Sequence, residues 1–203
     1  TYDLLIAKLI ELDFVVVRLG DPSMQHTRSF EDKYKENFID YAHSNLRSEK
    51  MDIYLLSNCD FLVACSSGPA DVTTTFNKNT LILNGIIATN SLKLIEGDIG
   101  IFKKIVNVKT GKNLKLEKLF SYPFDQALQR GNLNDLGYYY LDNSRDEILG
   151  AFNDFMMIRK KSVLVNKFGI DLSEYFEKNH WCYNNKTGKY SASFIQSYVN
   201  NSE

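Results

Sequence analysis

Several features that would place a chain quickly are scarce here. The sequence has three cysteines in 203 residues, Cys59, Cys65 and Cys182, an odd number with no C-x-x-C spacing. With only His26, His43 and His180 to join them, they suggest neither a disulfide framework nor a zinc site, and fit reduced thiols in a cytosolic chain. No metal is expected. Charge of one sign is missing too: 24 Lys and Arg stand against 25 Asp and Glu, so the basic excess of a nucleic-acid binder is absent. Any nucleotide is expected as a small ligand. No apolar run approaches the roughly 18 to 20 residues of a membrane span, and no signal-peptide pattern precedes Phe14. A cytoplasmic protein, at most peripheral to the inner membrane, is the expectation. No repeat, low-complexity stretch or compositional break marks a linker. What the chain does have is 44% apolar residues, enough for one large domain or two small ones.

One stretch organises the rest. The run Asp60-Phe61-Leu62-Val63-Ala64-Cys65-Ser66-Ser67-Gly68-Pro69 passes from an apolar strand to small hydroxyl residues and a Gly-Pro pair. A helix-length segment follows, then a second apolar run, Thr80-Leu81-Ile82-Leu83-Asn84. This pattern predicts a βαβ unit with Ser66, Ser67 and Gly68 at the turn. There a helix N-terminus offers free N–H groups and the positive end of its dipole to an anion such as phosphate.

Upstream, residues 2–11 carry Leu5, Ile6, Leu9 and Ile10 at helical spacing, in a chain that begins on Thr1 and reads as a fragment whose upstream part lies outside it. Phe14 to Arg18 form a β-branched strand that leaves Arg18 at a strand mouth, followed by the loop Leu19-Gly20-Asp21-Pro22-Ser23. Residues 37–41 make a short second strand and 49–58 a helix. Such alternation predicts an α/β fold, a Rossmann-like, mostly parallel sheet with helices on both faces and ligands at the strands' carboxyl ends. Residues 85–121 mix apolar pieces with turn chemistry and read as an irregular excursion extending to about residue 135. Residues 138–142 form a further strand, and Ser144-Arg145-Asp146-Glu147 is a capping box that starts a helix with Ile148, Leu149, Phe152, Phe155 and Met156 at helical spacing. The expected domains are a Rossmann-like body over 1–162 and a helical C-terminal extension over 163–203, ending in a helix over 188–199.

The ordered set Phe14 to Met24, Phe38 to Ser44, Met51 to Leu55 and Cys65-Ser66-Ser67-Gly68, with Gly97-Asp98-Ile99, Thr110-Gly111-Lys112, Asp146-Glu147-Ile148 and Ser193-Phe194-Ile195, resembles a bacterial family of surface-polysaccharide glycosyltransferases. That family is similar to the two-domain GT-B enzymes, in which a C-terminal Rossmann-like domain binds the nucleotide-sugar and an N-terminal domain the acceptor. The resemblance implies that this chain is the donor domain, with a nucleotide-sugar donor, a glycan or lipid-linked acceptor, no cofactor, and an acceptor domain upstream of Thr1.

Sugar transfer from a nucleoside diphosphate leaves negative charge on the departing phosphate, which cations and oriented N–H groups must stabilise where no metal is used. On this reading Arg18 is the catalytic cation facing the turn, and Asp21 orients it or touches the sugar. Gly20 lets the first loop bend toward the crevice. Ser66, Ser67 and Gly68 hold the phosphate, with Pro69 at the first helical position. Asp40 and Tyr41 contact ribose or base. Asp71 and Thr73 to Thr75 face the fold. Plainer readings stand beside these: an Arg-Gly-Asp turn with a surface ion pair, an ordinary βα loop at Asp40 to Ser44, and a plain N-cap at Ser-Ser-Gly-Pro. His43 reads as a loop residue and His26 as an exposed residue or lid element. Tyr138 to Tyr140 and Trp181 are packing aromatics, and Cys65 a small buried filler. The same scaffold also serves nucleotide-sugar epimerases and non-enzymatic flavodoxin-like binding domains, so both remain alternatives.

Overall fold

The computed structural model describes residues 2–86, 96–160, 165–172 and 189–203, which fall into two compact units, Thr1–Cys59 and Asp60–Glu203. In the first unit, α1 (Asp3–Glu11) buries Leu5 and Leu9, one turn apart on a single stripe. β1 (Val16–Val17) pairs in parallel with β2 (Phe38–Ile39), Val16 opposite Phe38. Between them lie α2 (Arg28–Tyr34) and a turn of 3-10 helix at Lys35–Asn37. A second 3-10 turn, Tyr41–His43, follows β2, and α3 (Glu49–Asn58) closes the unit. Ser48 starts α3: its Oγ accepts from the Met51 N–H at 3.2 Å, with Glu49 and Asp52 complementing the helix dipole in the first turn.

The second unit carries a five-stranded sheet in the order β3-β4-β5-β9-β8. β3 (Leu62–Ala64) leads through α4 (Gly68–Thr75) to β4 (Thr80–Gly85), the βαβ unit expected from the sequence, with β3 and β4 parallel and Val63 opposite Leu81. β5 (Ile99–Phe102) lies parallel to β4, so residues 85–121 hold a central strand rather than only loops. All of β4 and β5 is buried; because successive side chains point to opposite faces, both faces of the sheet centre are covered. β6 (Lys104–Asn107) then leaves the sheet. Two short helices, α5 (Leu116–Leu119) and α6 (Phe124–Arg130), precede β7 (Tyr138–Leu141), which pairs antiparallel with β6 in a separate ribbon.

The capping box forms as the sequence predicts. Ser144 N–H donates to Glu147 Oε2 at 2.7 Å and Glu147 N–H to Ser144 Oγ at 3.2 Å, opening α7 (Arg145–Lys160). This helix buries Ile148, Ala151, Phe152, Phe155 and Ile158 and packs on β4, β5 and β9. Beyond it come α8 (Val165–Phe168), β8 (Gly169–Ile170), β9 (Lys189–Ser191) and α9 (Ala192–Asn200). β9 is parallel to β5 and β8 antiparallel to β9. The expected helical extension is therefore corrected: its strands complete the main sheet, and the helix foreseen over 188–199 begins as a strand. Trp181, His180 and Cys182 lie outside the described residues. Among those described, no helix is long and apolar enough to cross a membrane.

Phe102, at the end of β5, gathers Tyr190, Phe194 and Tyr198 edge-on, with ring centroids 5.0 to 5.6 Å away. These contacts join the sheet to α9. Phe102→Ala is expected to destabilise the chain by about 3–5 kcal/mol in chemical denaturation, because the removed ring leaves a cavity that backbone on either side cannot close. A loss under about 1 kcal/mol would mean that the cluster is not the anchor of α9.

Candidate functional site

Two places gather the residues singled out by the sequence, one in each unit. In the first, the chain leaves β2 into the 3-10 turn with Asp40 at its N-cap. Residues three apart lie one above the other in a 3-10 helix, so Asp40 and His43 share a face. The Asp40 side chain is inaccessible to solvent. Its Oδ1 accepts from Arg18 Nη1 at 2.8 Å; its Oδ2 accepts from the Thr27 N–H at 2.9 Å and the Thr27 hydroxyl at 2.7 Å. His43 Nδ1 stands 3.1 Å and His26 Nδ1 3.5 Å from the same Oδ2. Burial alone would raise the Asp40 pKa, but the Thr27, Arg18 and His43 hydrogen bonds outweigh it and hold the carboxyl well below the usual carboxylate range.

Arg18 is thus placed at the strand mouth as expected, but its guanidinium is engaged with Asp40 and its side chain is 19% exposed. Asp21 turns back on its own loop, accepting from the Ser23 N–H at 2.8 Å, a bond that lowers its pKa. Gly20 lets the loop pass close under Met24, whose Sδ would stand 2.7 Å from an added Cβ. Tyr41, expected to contact ribose or base, is buried, and its hydroxyl donates to the Ser48 carbonyl and accepts from the Ser48 N–H. Burial pushes the Tyr41 phenol up. Asp40 and Tyr41 therefore offer no open face to ribose or base.

In the second unit, the β3–α4 turn stands at the carboxyl ends of parallel strands. Cys65, Ser66, Ser67, Gly68 and Pro69 are all exposed, which corrects the reading of Cys65 as a buried filler. Ser67 is the N-cap of α4, yet its hydroxyl makes no capping hydrogen bond, and Pro69 lies in the first turn. Ser66 Oγ reaches the Ile86 N–H, just beyond β4, at 3.4 Å. An added Cβ at Gly68 would meet nothing within 4 Å, so the fold itself does not require glycine there. Further along α4, Thr73 alone of the group is buried, with its hydroxyl on the Pro69 carbonyl at 2.7 Å; Asp71 and Thr75 face solvent.

Searches of protein-family models, of curated proteins and of solved structures each find no match to this chain.

Arg18 and the Ser66-Ser67-Gly68 turn, read together from the sequence, belong to different compact units. What the sequence reading missed is the company of Asp40: Thr27, His26 and His43 all converge on it. The Asp-x-x-His spacing at 40–43 was the available signal; nothing in the linear pattern announced His26, whose loop returns from 13 residues upstream of β2's end.

Asp40→Asn keeps the shape and removes the charge, so Arg18 loses its ion pair and two donors face an amide. Disrupting such a buried pair is expected to cost roughly 3 kcal/mol. Amide hydrogen exchange over residues 18–43 should speed up accordingly; unchanged protection there would show that the carboxylate does not organise the unit.

Proposed function

We propose that the second unit binds the diphosphate of a nucleotide-sugar at the Ser66-Ser67-Gly68 turn, and that the chain is the donor-binding part of a GT-B-type glycosyltransferase acting on a glycan or lipid-linked acceptor. The observation that carries the reading is Gly68. It needs no unusual backbone angle and its missing Cβ relieves no contact, yet it sits in open space between an uncommitted Ser67 hydroxyl and the first turn of α4. A glycine that packing does not demand, at the carboxyl end of a parallel strand, suits a ligand that must approach the backbone closely. The resemblance in the motifs supplies the sugar-transfer chemistry.

The roles follow from charge. As the bond between sugar and diphosphate breaks, the departing phosphate gains negative charge. The Ser66 and Ser67 hydroxyls and the Gly68 N–H are donors in place before that charge develops, Pro69 having no N–H and that of Ala70 donating to the Ser67 carbonyl. The reading rests on the turn rather than on Arg18, which already serves Asp40.

Gly68→Val is the discriminating substitution, because the space around Gly68 admits the side chain without disturbing the fold. In a thermal-shift screen of uridine, guanosine and adenosine diphosphates and cytidine monophosphate, one class is expected to raise the melting temperature of the native sequence. Gly68→Val should keep that temperature without ligand and lose at least tenfold in affinity, and Ser67→Ala about fivefold, roughly 1 kcal/mol for one hydrogen bond. Absence of any nucleotide shift, or full binding by Gly68→Val, would remove the proposal. Conversion of a free nucleotide-sugar into its epimer without acceptor would point to epimerisation instead of transfer.

A further inference from the structure

Of the two histidines that converge on Asp40, His43 poses a charge problem that a neutral ring does not solve. His43 Nε2 lies 2.9 Å from the Met24 carbonyl oxygen, which can only accept, so that nitrogen carries a hydrogen. In the neutral ring this leaves the Nδ1 lone pair aimed at Asp40 Oδ2, 3.1 Å away. Lone pair then faces lone pair unless a positive centre sits between them. His26 approaches from the other side, with Nδ1 3.5 Å from that oxygen, where its neutral ring can present either a hydrogen or a lone pair, and its ring stacked on His43 at 4.4 Å between centroids. A proton held between His43 and Asp40 satisfies one nitrogen. A metal ion satisfies it too and also engages His26 and the carboxylate.

The spacing suits an ion. The three ligand atoms all lie within 4.8 Å of one another. Zinc bonds of about 2.0–2.2 Å at tetrahedral angles place ligand atoms roughly 3.3–3.5 Å apart; the two nitrogens stand 3.1 and 3.5 Å from Asp40 Oδ2, close to that spacing, and lie within 4.8 Å of each other, so that a small turn of the exposed His26 ring completes the set. The surroundings also match those of ligands held for a metal. The far nitrogen of His43 is tied to a backbone carbonyl, and Asp40 is fixed by Arg18 on one oxygen and Thr27 on the other. Glu31 adds a second carboxylate: Oε1 accepts from the Asp40 N–H at 3.3 Å, and Oε2 stands 3.7 Å from His26 Nδ1.

We propose that His26 Nδ1, Asp40 Oδ2 and His43 Nδ1 form a binding site for a divalent transition-metal ion of zinc type, with a fourth position open to water or a ligand oxygen. Two imidazoles and one carboxylate select against Mg2+ and Ca2+, whose shells are built from oxygen. The ion takes the place of the proton between His43 and Asp40. The site is independent of nucleotide binding at the second unit's turn.

The test is titration of the whole metal-free chain with Co2+, followed by visible absorption, and with Zn2+, followed by calorimetry. One equivalent is expected to bind, with the absorption of low-coordinate Co2+ and without the intense thiolate charge-transfer bands that Cys59, Cys65 or Cys182 would give. His26→Ala alters an exposed side chain and so keeps the fold, which circular dichroism verifies; it should weaken binding at least tenfold, as should His43→Ala. His180→Ala should leave binding unchanged. Failure to bind Co2+ or Zn2+ overturns the site. So does binding that survives both His26→Ala and His43→Ala, thiolate bands in the Co2+ spectrum, or a preference for Mg2+.

Discussion

A buried oxygen that has lost water must find its donors inside the protein, and that constraint shapes both units of this chain. Asp40 is the clearest case. Its carboxylate draws Arg18 from the end of β1, Thr27 from the start of α2 and His43 from the following turn into one place. Two strands of two residues each could not fix those segments alone. In the second unit Asp98 accepts from the Thr80 N–H at 2.7 Å and from Asn79, tying the starts of β4 and β5 together. Asn84 and Asn143 exchange backbone-to-side-chain hydrogen bonds of 2.8 and 2.6 Å, which hold Asn84 at φ 52° where β4 ends. Asp154, buried on α7, accepts from the Ser191 and Ser193 hydroxyls and the Ser193 N–H, seating β9 and α9. In each case a polar group left without its partners would cost more than a typical hydrogen bond contributes.

The same rule explains what the sequence motifs are for. Gly97 takes φ +90° with Asn79 pressed against it, and Asp98 beside it is the strand tie just described. Thr110-Gly111-Lys112 closes a turn in which Asn107 Oδ1 accepts two backbone N–H groups, with Gly111 at φ +68°. Asp146-Glu147-Ile148 contains a capping residue and a core residue, and Ser193-Phe194-Ile195 an Asp154 partner and two buried side chains. Most motif residues outside the β3–α4 turn thus have structural duties. Such residues recur wherever the same turns and packing do, and carry no chemistry of their own.

Legibility followed the range of the interaction. The helix of residues 49–58, the capping box at Ser144 and the β3–α4–β4 unit were readable because their signals are local: a cap, a period, a turn residue. β5 was missed because Gly97 and Gly100 gave its four residues the look of a loop, and β9 because three residues before a strong helix carry no period of their own. Both are strands because the sheet buries them, a tertiary effect that outweighs propensity. The His26, Asp40 and His43 cluster was hidden for the same reason. One member of the set is local to another, while His26 arrives through a loop whose path is set by the Asp40 carboxylate.

Arg18 shows how far one side chain can be stretched between readings. A strand-mouth arginine near a loop glycine suggests an anion contact, and a guanidinium has five donors, of which Nη1 is seen engaged with Asp40. The pair with a solvent-inaccessible carboxylate comes first in energy, because an unpaired buried charge costs more than any exposed phosphate contact returns. Removing the side chain would therefore confound loss of fold with loss of binding, and a weakened Arg18→Ala protein says little about a ligand. Lysine separates the two. It keeps the charge opposite Asp40 but loses the planar fork, so a role confined to neutralising the carboxylate survives the change, whereas a role in gripping an anion does not.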